Sequence, residues 1–75
     1  MKLGRSQQGC LGILIEYEYW NDQRGMSYGS MLSTIRIMES LCRKGLAEKV
    51  LNKYYATSFG KQVYDNNVKK YGEWR

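Results

Sequence analysis

Lysine and arginine are the residues of this chain best placed to do chemistry, and that chemistry is recognition of a polyanion. Of 75 residues, 12 are Lys or Arg and 7 are Asp or Glu, for a formal net charge of +5. Through Cys42 the charges balance, with Lys2, Arg5, Arg24 and Arg36 against Glu16, Glu18, Asp22 and Glu39. The whole excess lies in residues 43–75. There Arg43, Lys44, Lys49, Lys53, Lys61, Lys69, Lys70 and Arg75 are opposed only by Glu48, Asp65 and Glu73. A one-sided basic stretch points first to nucleic acid and second to an anionic membrane surface. The plain alternative is a solvated surface that keeps a small protein in solution.

Other chemistries are poorly provided for. With no His there is no His–Cys or His–Ser catalytic pair and no imidazole ligand. Two Cys cannot complete a four-ligand zinc site, and no acidic cluster offers a cage for a hard cation. A chain of 75 residues is one domain, and an enzyme-sized pocket would consume much of its core. The expectation is therefore a non-enzyme without metal, cofactor or evident small-molecule ligand. The longest apolar run, Cys10–Ile15, is far shorter than the ~20 residues of a membrane span. No export signal is evident, so Cys10 and Cys42 read as reduced thiols in a cytoplasmic protein, a disulfide between them being the alternative.

These residues must be positioned by a few short elements. Ser27–Lys44 is the clearest helix: Met31, Thr34, Ile35, Ile37, Met38, Leu41 and Cys42 share one face. Ser33, Arg36, Glu39, Ser40 and Arg43 share the other, and Leu32 fits neither. Ser27 and Ser30 are both candidate N-caps, and a shorter helix before Ser30 with a turn at Gly29 is possible. Arg43 and Lys44 followed by Gly45 make a helix end. Leu46–Leu51 and Tyr54–Thr57 read as a β-hairpin turning at Asn52-Lys53. Thr57 or Ser58 caps a last helix with Phe59, Val63, Tyr64, Val68 and Tyr71 along its apolar line. Asn21–Gly25 is a polar loop with turn chemistry. Ser6–Trp20 stays ambiguous. Ile13, Ile15, Tyr17 and Tyr19 alternate like a strand, while Leu11, Leu14 and Ile15 suit a helix capped by Ser6, weakened by Gly9 and Gly12.

Two stretches in this order carry a family resemblance. Ser33-Thr34-Ile35-Arg36-Ile37-Met38-Glu39-Ser40-Leu41-Cys42-Arg43-Lys44-Gly45-Leu46 is similar to a recognition helix: a small polar start, apolar positions, a charged last turn and Gly-Leu. Tyr54-Tyr55-Ala56-Thr57-Ser58-Phe59-Gly60-Lys61-Gln62-Val63 is similar to the strand after a wing and its Thr-x-x-Gly helix start. Over about residues 6–64 the chain resembles the winged helix-turn-helix domains of small MarR, PadR and ArsR-type transcription repressors of bacteria, archaea and phages. The resemblance implies a mostly helical α+β fold in one domain, with a recognition helix at about 30–44, a short wing at about 46–57 and a C-terminal helix at about 58–71. It also resolves Ser6–Trp20 as the first helix. Two departures stand out: the segment before the recognition helix is short, so a second helix is abbreviated or starts near Met26, and the wing is minimal.

What the resemblance implies for function is sequence-specific binding of double-stranded DNA by a repressor at the nucleoid. Arg36, with Ser30, Ser33 and Ser40, would face the major groove, since guanidinium can pair bidentately with guanine. Arg43, Lys44, Lys49 and Lys53 would hold phosphates, although Arg43 and Lys44 also suit a helix C-terminus. Glu39 could orient Arg36 or Arg43 at its spacing of three and four residues. Aromatics serve cores and dimer seams more often than base stacking; Tyr17, Trp20, Tyr64, Tyr71 and Trp74 are the candidate surface of a homodimer. The alternative is a winged-helix module that docks on a larger protein, because fold alone does not fix function.

Overall fold

The computed structural model describes residues 3–24 and 29–71, the last two by their backbone. It is a small α+β fold, mostly helical, with element order α1 (Arg5–Tyr17), α2 (Met31–Arg43), β1 (Ala47–Val50), β2 (Lys53–Ala56) and α3 (Ser58–Tyr71). The two strands form one antiparallel hairpin, with Ala47 opposite Ala56 and Val50 opposite Lys53.

The ambiguous N-terminal stretch is a helix. Its N-cap is Gly4, not Ser6: the Gln7 side chain accepts from the Gly4 amide at 3.2 Å, and Gln8 N–H donates to the Gly4 carbonyl at 2.9 Å. Cys10, Leu11 and Leu14 are fully buried against α2 and α3. Gly12, a liability to the helix by itself, is where the Tyr64 ring of α3 lies close; a Cβ there would sit 3.0 Å from the Tyr64 hydroxyl. The helix ends at Glu18, which adopts φ +74°. The chain then runs extended, and Trp20 exchanges backbone hydrogen bonds with Tyr54 of β2 at 3.0 and 2.8 Å.

Local chemistry defines α2 at both ends. The Ser30 hydroxyl accepts from Ser33 N–H at 3.1 Å, satisfying one of the amides a helix start leaves open. The alternative cap Ser27 and the short helix suggested near Met26 lie outside the described residues. At the C-terminus Gly45 has φ +78°, Gly45 N–H donates to Cys42 O, and Leu46 N–H reaches back to Leu41 O at 2.9 Å. That is a Schellman closure, which needs a residue free to adopt positive φ followed by an apolar one. The Gly-Leu pair is thus a helix stop, and Leu46 drops directly into the core.

The hairpin turn falls on Leu51-Asn52, one residue earlier than the sequence suggests, and Lys53 already belongs to β2. Leu51 takes positive φ (+57°) while 94% exposed. Thr57 then fastens α3: its hydroxyl donates to Gly45 O at 2.7 Å and accepts from Gly60 N–H at 2.9 Å, while its own N–H donates to Leu46 O. Gly60 sits so close to Leu46 that a Cβ would lie 1.9 Å from that carbonyl oxygen. The Thr-x-x-Gly motif therefore works as a clamp between the last helix and the end of α2. Phe59, expected on the apolar line of α3, is instead 47% exposed, because Gly60 occupies the inward place in that turn. Val63 is buried, and Tyr64 and Val68 are half-buried.

The core is one cluster shared by all elements: Cys10, Leu11, Leu14, Trp20, Thr34, Met38, Leu41, Leu46, Tyr54 and Val63 are its main members. Cys10 and Cys42 are both free thiols. Burial alone pushes the Cys10 thiol up to about 11. The Cys42 thiol is raised too, first by burial and then by the nearby Glu39 carboxylate.

Candidate nucleic-acid interface

The amphipathic pattern of α2 decides which side chains remain available. Thr34, Met38 and Leu41 are buried; Met31, Ile35, Ile37 and Cys42 are half-buried against the same core. Ser33, Arg36, Arg43 and Lys44 are left exposed along the opposite side. Among the described residues the Arg36 side chain makes no hydrogen bond or ion pair. Leu32 is 60% exposed beside this row.

Two polar residues of α2 and its N-cap are spent on the fold. Ser30 is exposed, but its hydroxyl is the α2 cap and also donates to the Ser33 hydroxyl at 3.0 Å. Ser40 does not join the open row: it is half-buried, donates to Ile37 O at 2.7 Å and accepts from the Gln7 side-chain amide of α1 at 3.3 Å. Glu39 orients neither Arg36 nor Arg43; it accepts a hydrogen bond from the Tyr54 hydroxyl. Burial, and then this bond, raises the Tyr54 phenol well above its ordinary value. Glu39 and Tyr54 pin the hairpin to α2.

The hairpin lysines are exposed on opposite faces. Lys49 lies opposite Tyr54 in register, with its ammonium 5.2 Å from the Tyr54 ring centre, on the side turned to α2. Lys53 points the other way, 4.7 Å from the Tyr19 ring centre. Between α2 and the hairpin is a cleft of about 190 Å³ lined by Trp20, Asn21, Asp22, Ile35, Lys49, Asn52 and Tyr54. It is smaller than the roughly 300–1,000 Å³ of typical small-molecule sites. Among the described residues no group of three or more Cys, Asp or Glu could hold a metal ion, and no helix is long and apolar enough to cross a membrane.

The proposed dimer residues scatter. Trp20 is 1% exposed and belongs to the core of a single chain, so it forms no outer surface. Tyr64 is half-buried under Gly12, Tyr17 is 44% exposed, and the Tyr71 side chain and Trp74 lie outside the described residues. Sequence reasoning missed the pairing of Glu39 with Tyr54 and the grouping of Tyr19 with Arg24 and Lys53. Neither has a local signal, because each joins segments distant in sequence. Comparison with family models, curated proteins and solved structures finds no match to this chain.

Proposed function

We propose that this chain is a winged helix-turn-helix protein that binds double-stranded DNA and represses transcription, as a small dimer at the nucleoid. The observation that carries this reading is the open side of α2, where Ser33, Arg36, Arg43 and Lys44 stand exposed in one row while the other side is packed. A guanidinium with no partner among the described residues keeps its donors for a base edge. Arg43, Lys44 and Lys49 continue from that row to the hairpin and suit phosphate contacts, which supply affinity without sequence preference. In this reading the backbone pairing of Trp20 with Tyr54 ties the wing to the segment after α1.

The test is fluorescence anisotropy of a labelled random-sequence duplex at about 50 and about 200 mM salt. Micromolar binding that weakens at least tenfold at the higher salt is expected, since each phosphate contact adds about −0.9 to the slope of log K on log salt. On a selected operator, Arg36→Ala is expected to relax preference at one base position by about 1–3 kcal/mol. An equal loss on random DNA would remove Arg36 as a reader. Absence of duplex binding at low salt would overturn the function.

A second reading, a module that docks on a larger protein, is favoured by a specific feature: Leu32, Val50 and Leu51 are 60%, 50% and 94% exposed. Val50 and Leu51 are adjacent at the hairpin end, and exposed apolar side chains mark protein contact surfaces more readily than DNA contacts. The same anisotropy experiment separates the two.

A further inference from the structure

The hairpin has a second functional-looking face, turned away from α2, that the duplex-binding reading does not use. It follows from the pairing of Trp20 with Tyr54. Those two side chains point inward, at 1% and 4% exposure, so strand alternation turns their neighbours Tyr19 and Tyr55 outward. The two outward rings lie 6.2 Å apart at 42°. Lys53, two residues before Tyr55 and on the same face, places its ammonium 4.7 Å from the Tyr19 ring centre. Arg24 places its guanidinium carbon 4.4 Å from the same centre. Arg24 is held there by the turn before it: Arg24 N–H donates to Asn21 O at 3.2 Å, and the Asn21 side chain accepts from Gln23 N–H. The Arg24 guanidinium beside it, more than Lys53, holds the Tyr19 phenol below its ordinary value.

Two cations are thus gathered on one tyrosine, and among the described residues neither forms an ion pair with a carboxylate. Like charges held together with no carboxylate ion-paired to them favour an anion arriving from outside; Glu48, opposite Tyr55 in register, is a carboxylate on the same strand face. Tyr19 is occupied by the cations, but Tyr55 beside it is a half-exposed ring with no cation of the described residues over it. An aromatic face next to a paired positive charge fits a phosphodiester carrying an unpaired base: the base stacks and the cations take the phosphate. A duplex offers no such base, because its bases are stacked on one another.

We propose that Tyr55, Arg24 and Lys53, with Tyr19 as the ring that gathers the two cations, form a binding site for single-stranded nucleic acid. This site is separate from the open row on α2 and does not depend on it.

The test is anisotropy of fluorescein-labelled dT12 and rU12 beside a labelled duplex, using the full chain. Wild type is expected to bind the single strands in the micromolar range at about 50 mM salt. Tyr55→Ala should weaken dT12 binding about five- to tenfold or more, and Tyr55→Phe should restore it, since stacking needs the ring and not the hydroxyl. The double variant R24Q/K53Q should weaken dT12 and flatten its salt slope by about 1.4, from about 0.7 per phosphate contact. Arg36→Ala should leave dT12 binding unchanged. If dT12 binds better than rU12 the site serves DNA, and the reverse assigns it to RNA. Failure to bind either strand, or equal losses on strand and duplex for R24Q/K53Q, would overturn the proposal. Should Tyr55→Ala not fold, R24Q/K53Q decides alone, because both replaced side chains are polar and outside the core. Duplex binding without strand binding refutes this site and leaves the α2 reading intact.

Discussion

Replacing Gly60 by alanine sets two effects of opposite sign against each other. Gly60 lies in the first turn of α3, and helix propensity alone favours Ala over Gly by up to about 1 kcal/mol. The position, however, has no room: the new Cβ would lie 1.9 Å from the Leu46 carbonyl oxygen and 2.9 Å from its carbon. Both are backbone atoms, so no side chain can swing aside, and the start of α3 must retreat by about 1 Å or more. Three hydrogen bonds fix that junction, two across it and one capping α3: Thr57 N–H to Leu46 O, the Thr57 hydroxyl to Gly45 O, and Gly60 N–H to the Thr57 hydroxyl. At about 0.5–1.5 kcal/mol each, their loss costs about 1.5–4.5 kcal/mol. Subtracting the propensity gain of about 1 kcal/mol leaves a net destabilisation of about 0.5–3.5 kcal/mol. A domain of this length has about 4–11 kcal/mol in all, so the effect is large. Urea unfolding followed by far-ultraviolet circular dichroism measures it; with a slope of about 1 kcal/mol/M the midpoint should fall by about 0.5–3.5 M. Gly12→Ala is the control. Its Cβ would meet the far end of the Tyr64 side chain at 3.0 Å, which can yield, so its cost should be well under that of Gly60→Ala. A Gly60→Ala protein as stable as the wild type would refute the clamp.

Gln8 is 3% exposed with neither amide atom partnered among the described residues, and a buried unpaired polar group costs about 1–3 kcal/mol. Gln8→Met, of similar length, should therefore stabilise by about 1–2 kcal/mol and raise the melting temperature by roughly 4–8 °C per kcal/mol; a lower melting temperature would show that the amide is satisfied. Stability should also fall in alkali. The Cys10 thiol, pushed from 9.0 up to about 11, and the Tyr54 phenol, raised from 10.0, both hold protons more tightly in the fold than in the unfolded chain. Their contribution is complete below about pH 9 and is lost as the pH climbs through and above 11. Tyr54→Phe should cost about 1 kcal/mol at pH 7, by taking the donor from Glu39, and should flatten the alkaline loss above pH 10. A urea midpoint constant from pH 7 to 11 would refute both assignments.

Elements set by local chemistry were legible, and those set by distant contacts were not. The end of α2 is written in Arg43-Lys44-Gly45-Leu46, because a positive-φ stop needs Gly and its closure needs the apolar residue that follows. The start of α3 is equally local in Thr57 and Gly60. By contrast α1 could not be separated from a strand: Gly9 and Gly12 count against a helix until Tyr64 is seen packing over Gly12. The hairpin turn was misplaced because Asn52 and Lys53 have better turn chemistry than Leu51, yet the register puts Leu51 in the strained position. Periodicity set Ser40 on the open side of α2, but it could not show that Gln7 of α1 reaches across to it. Trp20 read as a surface residue for the same reason; its burial comes from pairing with Tyr54 on a strand formed much later in the chain.

The way the hairpin is fixed divides its charge, and that division bears on both proposed sites. Glu39 on α2 holds the Tyr54 hydroxyl, and Tyr54 shares its face of the sheet with Lys49. Lys49 therefore stays beside α2, at the cleft that Ile35 also lines. Strand alternation sends Lys53 to the other face with Tyr55, where Tyr19 and Arg24 meet it. A ligand lying along α2 and reaching one hairpin face meets Lys49 but not Lys53. The basic run from Arg43 to Lys53 is thus one cluster in sequence and two in space, and a hairpin of four-residue strands suffices to separate them.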